Sequence, residues 1–95
     1  MVIQIIKFKS ELSEEEVFKV ADERKPQFQA IKGLVQKYYV KDNKTGEYGG
    51  IYIWDSEESL KSYRQSELAS SIPKAYKIIG SPTIEVLNLV YPLRD

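Results

Sequence analysis

Gly46-Glu47-Tyr48-Gly49-Gly50-Ile51-Tyr52-Ile53-Trp54-Asp55 reads as a turn, a strand and the entry to a helix. Upstream, Asp42-Asn43-Lys44-Thr45-Gly46-Glu47 is rich in turn formers and predicts a hairpin loop. Val35 to about Lys41 is then the antiparallel partner of Tyr48 to Trp54. Along that returning strand Gly50, Tyr52 and Trp54 share one face, and Ile51 and Ile53 share the other. The paired glycines mark either a bulge or a close approach of two backbones. The choice matters, because a one-residue bulge moves Tyr52 and Trp54 to the opposite side of the sheet.

Working outward, Val2 to Lys9 predicts a first strand that is apolar on both faces, which implies cover on both sides. Leu12 to about Pro26 predicts a helix. Ser13 and Glu16 stand at capping-box spacing, and Leu12 and Val17 stand where a hydrophobic staple forms. Glu14-Glu15-Glu16 then lies against the positive end of the helix dipole, a plainer reading than a metal site. Pro26 is expected to stop or kink that helix. Phe28, Ile31 and Leu34 carry the chain back toward the core past Gly33. After Trp54, Asp55 or Ser56 caps a second helix, with Asp55 and Glu58 again at capping-box spacing and Leu60, Tyr63 and Leu68 facing inward. Ile72 to Ile79 is expected to form a separate short helical turn, because Pro73 disturbs a continuous one. Gly80 suits its end and Pro82 forbids continuation. Thr83 to Tyr91 predicts the last strand.

The order β-α-β-β-α-β defines an α+β, ferredoxin-like fold with an antiparallel four-stranded sheet and both helices on one face. The whole chain of 95 residues fits one domain, residues 1–95. The second face of the sheet is left bare yet apolar, and a second copy of the same sheet is the economical cover.

Composition narrows the chemistry. Formal net charge is zero, which gives no bulk attraction to nucleic acid or to an anionic membrane. No stretch approaches the roughly 20 apolar residues of a membrane span. No basic segment precedes the apolar start, so the expectation is a soluble, cytoplasmic protein. The chain has no cysteine, which removes disulfides and thiolate chemistry, and no histidine, which removes histidine-dependent triads, histidine metal ligands and histidine haem ligation. Lysine, tyrosine and carboxylates remain as acid–base groups. The glycines follow no strand-to-helix turn, so a dinucleotide fingerprint is excluded.

Gly33-Leu34, Lys37, the aromatic Tyr39, Gly49-Gly50-Ile51-Tyr52-Ile53-Trp54, and then Ser59 and Tyr63 resemble the YdhR-type mono-oxygenases. These belong to the dimeric α/β-barrel superfamily, with the antibiotic-biosynthesis mono-oxygenases as relatives. The similarity runs from Gln4 to the last strand and is loosest around Pro73 and Pro82. The resemblance implies a homodimer whose two sheets face each other as a barrel. It implies a pocket in each protomer, between the sheet and its helices or the partner's last strand. The implied activity is that of a mono-oxygenase working without metal, haem or flavin, in which an activated phenolic or quinol-like substrate reduces dioxygen. Haem-degrading relatives use a histidine that this sequence lacks.

Several residues carry the candidate site. Tyr52 and Trp54 beside Gly50 make either flat walls for a small hydrophobic or aromatic molecule or simple core filling. Lys37 and Tyr39 share a face of the second strand. A partly buried Lys37 is a candidate catalytic base or holder of a substrate phenolate, against the plainer reading of a solvated or ion-paired lysine. Gln4 and Asn88 are candidate hydrogen-bonding groups or satisfied polar residues of the barrel wall. Tyr63 packs inward as a further candidate substrate contact, and Arg64 near the helix edge is either a clamp for an acidic group or, more simply, a surface charge. Asp42 and Glu47 read as solvated. The expectation is a cofactor-independent mono-oxygenase with no bound metal. The alternative is a non-catalytic small-molecule-binding or stress-related homodimer.

Overall fold

The computed structural model describes residues 1–95. Its elements are β1 (Val2–Ser10), α1 (Glu14–Gln29), β2 (Leu34–Lys41), β3 (Tyr48–Trp54), α2 (Glu57–Arg64), α3 (Glu67–Ala75) and β4 (Ile78–Asn88). The four strands form one antiparallel sheet in the order β2-β3-β1-β4. This is the expected ferredoxin-like arrangement with one added helix, β-α-β-β-α-α-β. No helix is long and apolar enough to cross a membrane.

Register answers the question posed by the paired glycines. β1 and β3 pair without interruption from Val2↔Trp54 through Gln4↔Tyr52 to Phe8↔Tyr48, so neither Gly49 nor Gly50 is a bulge. Gly49 is instead a close approach, because a Cβ there would stand 2.0 Å from the Ile6 carbonyl oxygen. The bulges lie elsewhere. One leaves Val35 unmatched between Leu34↔Trp54 and Gln36↔Ile53. The other sits where Lys7 and Lys9 oppose Thr83 and Ile79.

Directly opposed residues of antiparallel strands point to the same side. One face therefore carries Val2, Gln4, Ile6 and Phe8 of β1, Tyr48, Gly50, Tyr52 and Trp54 of β3, and Lys37 and Tyr39 of β2. All three helices pack on this face. Val2, Phe28, Tyr52, Trp54, Leu60 and Tyr63 form one buried cluster, and Phe8, Val17 and Tyr76 a second. The opposite face carries Ile3, Ile5, Ile51, Ile53, Tyr38, Val40 and Leu87, and no helix covers it. Tyr38 and Leu87 are about half exposed there, at 55% and 49%.

The ends of α1 follow the sequence closely. The Ser13 hydroxyl accepts from the Glu16 amide, and the Glu16 carboxylate accepts from the Ser13 amide. Leu12 packs with Val17 as a staple. Pro26, expected to end the helix, lies inside it. The missing N–H costs only a bond on the solvent side, where Asp22 and Pro26 are both exposed, and buried Phe28 fastens the last turn to the core.

The region after α2 differs from expectation. The break falls at Gln65–Ser66, because the Ser66 hydroxyl accepts from the Ala69 amide and starts a new helix there. Leu68 therefore belongs to α3, which runs on through Pro73 to Ala75. β4 begins at Ile78, five positions before the expected start, because the irregular pairing opposite Lys7 and Lys9 absorbs Gly80 and Pro82, with Gly80 at φ +69°. The strand ends at Asn88 rather than Tyr91. At α2 the cap is Ser56, whose hydroxyl accepts from the Ser59 amide. Asp55 acts beside it, accepting from the hydroxyls of Ser56 and Ser59. Gly33 closes this corner at φ +94°, with its carbonyl accepting from the Asp55 amide.

Candidate functional site

Behind the sheet lies a layer of stacked rings. Tyr52 and Trp54 stack with an interplanar angle of 3° and centroids 6.0 Å apart. Tyr63 from α2 leans on both, at 5.7 Å from Tyr52 and 5.2 Å from Trp54. Trp54 is wholly buried, and its indole N–H donates to Gln4 Oε1 at 3.0 Å. This pair satisfies two polar groups deep in the core. Trp54 and Gln4 thus form the floor under the site rather than its lining. The Tyr63 hydroxyl is buried with no hydrogen-bond partner.

Lys37 crosses this layer from β2. Its Nζ lies 3.5 Å from the Phe28 ring centroid, 4.4 Å from Tyr39 and 4.6 Å from Tyr52. Gly50 makes the space, since a Cβ there would stand 3.0 Å from Tyr52 Cε1 and 3.2 Å from Lys37 Cε. No carboxylate answers the amine. The ion pairs of the chain use Lys7, Lys25 and Lys41. Burial, and after it the charge of Arg24, bring the Lys37 amine down to about 7. Burial also raises the phenols of Tyr39, Tyr52 and Tyr63, and raises Tyr76 to about 12. At neutral pH the site therefore holds protonated phenols around an amine that is partly neutral. Arg24 is itself half-buried on α1. Its Nη2 donates to the Leu68 carbonyl and the Ser71 hydroxyl, and its Nε is buried without a partner.

Lys37 and Tyr39 stand between two hollows. The inner one, about 40 Å³, lies between the sheet and α1 and α3, against Ile6, Phe8, Val17, Ala21, Ile72 and Tyr76. Gly50 and Tyr52 also border it. The outer one, about 280 Å³, is bordered by Lys25, Phe28, Gln29, Leu34, Val35 and Gln36. A further hollow of about 270 Å³ lies over Gln4, Tyr63 and Arg64 beside Ile72 and Ile84.

Of the expected site residues, Lys37 and Tyr39 form the wall shared by the two hollows, and Tyr52 meets Lys37 on the inner side. Gln4, Trp54 and Tyr63 stand behind them. Asn88 is exposed at the end of β4 opposite Val2, away from all three hollows. Asp42, read as solvated, receives the Lys7 amine at 2.6 Å, which holds its carboxyl down at about 2. Phe28 and Tyr76 were missed as site residues. Phe28 was legible as an aromatic returning to the core, but its place over Lys37 needed the longer α1. Tyr76 carried no comparable signal. It is the C-cap of α3, with its ring 5.2 Å from Phe8.

Fold and site together define a ferredoxin-like α+β domain with an aromatic-walled hollow and a half-buried, unpaired amine between sheet and helices. The chain belongs to the family described as "Putative mono-oxygenase ydhR", whose model matches residues 2–86. No curated protein sequence matches the chain. Among solved structures it is similar to SnoaB, a cofactor-independent oxygenase from Streptomyces nogalater, at 12% identity and TM-score 0.78, covering 99% of this chain and 97% of that one. It is also similar to NE2512 from Nitrosomonas europaea, a protein of unknown function, at 15% identity and TM-score 0.77, covering 96% and 90%. A "putative antibiotic biosynthesis monooxygenase" from Deinococcus radiodurans aligns at 13% identity and TM-score 0.75, covering 100% and 98%. At these identities the likeness establishes the fold.

Proposed function

We propose that the protein is a cofactor-independent mono-oxygenase for a small aromatic, quinol-like substrate, with Lys37 as the group that takes the substrate proton. The single observation that carries this reading is Lys37 itself, an amine with no acid partner, held against three ring faces and lowered to about 7. A base near neutrality in a dry pocket suits deprotonation of a phenol or of an activated ring carbon. In the protonated form the same amine holds the resulting anion. The electron-rich anion reduces dioxygen. In the simplest case a ring methylene becomes a carbonyl, one oxygen atom entering the product and the other leaving as water, with all four electrons drawn from the substrate carbon. Tyr39 and Tyr52 flank the substrate plane, Tyr63 backs Tyr52, and Gln4 with Trp54 hold the floor.

The working unit in this reading is a homodimer. The open sheet face of Ile3, Ile5, Ile51, Ile53 and Leu87, edged by Lys7, Gln36 and Glu85, is a largely apolar surface of the kind that pairs. The test is dioxygen uptake with a panel of quinols and polyphenols, read alongside quenching of Trp54 fluorescence as a measure of binding. Uptake that disappears in Lys37→Met while quenching persists supports the reading. Quinol-dependent uptake unchanged in Lys37→Met overturns the assignment of Lys37. Quenching without uptake in the parent protein identifies a binding protein instead.

A further inference from the structure

An amine buried without an acid is more than a proton acceptor. Lys7 and Lys41 meet carboxylates at 2.6 and 2.7 Å, whereas the Lys37 Nζ meets only the ring faces of Phe28, Tyr39 and Tyr52. It also stands at the wall shared by the inner hollow and the outer one of about 280 Å³. A ligand in the outer hollow therefore lies against the Lys37 side chain and against Phe28 and Tyr39, two of the three rings that hold its nitrogen. On the inner side Gly50 leaves room for its stem, since a Cβ there would stand 3.2 Å from Lys37 Cε.

We propose that Lys37 is a carbonyl-reactive amine, and that the outer hollow admits small aldehydes or ketones which condense with its Nζ to form an imine. The nitrogen lone pair attacks the carbonyl carbon, a C–N bond forms, and the carbonyl electron pair moves to oxygen. That oxygen takes one amine hydrogen to give the carbinolamine. The C–O bond then breaks, and the hydroxyl leaves as water with the second amine hydrogen. The sum is R₂C=O plus the Lys37 amine giving the R₂C=N imine plus water, with no change of oxidation state and no co-reactant.

The charged and titratable groups facing the nitrogen are favourable. Arg24 on α1 adds a like charge, Tyr39 on β2 and Tyr52 on β3 stay protonated, and no carboxylate enters from any packed element. Lys25, at the rim of the outer hollow, pairs with Asp22 at 3.6 Å. Desolvation beside another cation is a recognised way to make a lysine nucleophilic. With the amine at about 7, about half of it is neutral at pH 7, against roughly one part in 3,000 for a lysine at its ordinary value. This chemistry needs no dioxygen and stands apart from the oxygenase reading.

The experiment is reductive trapping on the full chain. The protein is incubated at pH 7 with benzaldehyde, and in parallel with the smaller propionaldehyde, each with cyanoborohydride, and the adduct is located by peptide mass mapping. The expected result is a single secondary amine at Lys37, formed at least about tenfold faster than at any other lysine. Its rate should fall as pH drops below about 7. Lys37→Arg, which keeps the charge and loses the nucleophile, should lose that adduct while its circular dichroism stays that of the parent. Folded parent protein that gains adducts on other lysines before Lys37 with both aldehydes overturns the proposal. Loss of oxygenase activity does not bear on it.

Discussion

Replacing Lys37 by methionine should make the protein more stable, by an amount that depends on pH. In the folded chain the amine is lowered from 10.5 to about 7, mainly by burial. That difference corresponds to about 4–5 kcal/mol of preference against the charged form, at roughly 1.4 kcal/mol for each factor of ten. Contact of the ammonium with three ring faces returns about 0.5–2 kcal/mol. The net cost of holding the charged lysine is therefore about 3 kcal/mol. Methionine matches the length of the stem, makes favourable sulfur–ring contacts and carries no charge. The sign follows from proton binding. Between about 7 and 10.5 the unfolded chain holds a proton on Lys37 that the folded chain has released, so parent stability rises with pH across that window. Below about 7 both states are protonated and the cost is fully present. Urea unfolding at fixed protomer concentration should thus show Lys37→Met more stable than the parent by about 3 kcal/mol at pH 6, with the gap closing toward pH 10. A variant that is less stable than the parent at pH 6, or a gap that does not change with pH, refutes the picture of an unpaired amine buried at a cost.

Gly49→Ala should cost about 3 kcal/mol, because its Cβ would enter the Ile6 carbonyl at 2.0 Å, whereas Gly50→Ala should keep the fold and displace Lys37, read as a Lys37 adduct rate lowered in the trapping experiment while the melting curve shifts little. Trp54→Phe leaves the Gln4 carbonyl oxygen buried and unpaired and should cost about 1–3 kcal/mol beyond the lost ring area, and Gln4→Leu in the same chain should recover part of it in a double-mutant cycle. Ser13→Ala removes the hydroxyl that accepts from the Glu16 amide, the half of the α1 capping box its side chain supplies, and should lower stability by about 1 kcal/mol in chemical denaturation. Ile51→Lys on the open sheet face should abolish self-association in sedimentation at micromolar concentration, and a parent chain that sediments as a monomer there removes the dimer.

The fold was legible because its signals are local. Ser13 with Glu16 announces α1, the turn residues from Asp42 to Gly46 announce the hairpin, and alternation in β1 and β3 announces the sheet. The misplacements share a cause. Pro26, Pro73 and Pro82 each read as a boundary, and each lies inside an element. Proline forbids one hydrogen bond, but it ends a helix only where tertiary packing does not hold the next turn, and it ends a strand only where the ladder needs that N–H. Phe28, Ile72 and the irregular pairing opposite Lys7 and Lys9 supply what the proline rules leave out, and none of these contacts is local in sequence. The site was partly legible for a similar reason. Lys37, Tyr39 and Tyr52 follow from strand parity, whereas Phe28 and Tyr76 arrive from helices whose ends were misplaced.

The glycine-aromatic strand and the residues around it divide by what they do. Gly33, Asp55 and Ser59 lock the corner before α2, Gly49 lets β1 and β3 approach, and Trp54 with Gln4 fills and satisfies the floor. Each of these has a complete account in packing or hydrogen bonding, so none needs a substrate to explain it. Lys37 does not have such an account. A domain of this size is stable by about 5–15 kcal/mol in total, and a buried unpaired amine removes about 3 of it. An apolar side chain of the same length would serve the core better. The aromatic strand is therefore chiefly architecture, and Lys37, a charge-bearing side chain that the architecture holds at a loss, is where the proposed chemistry is to be tested.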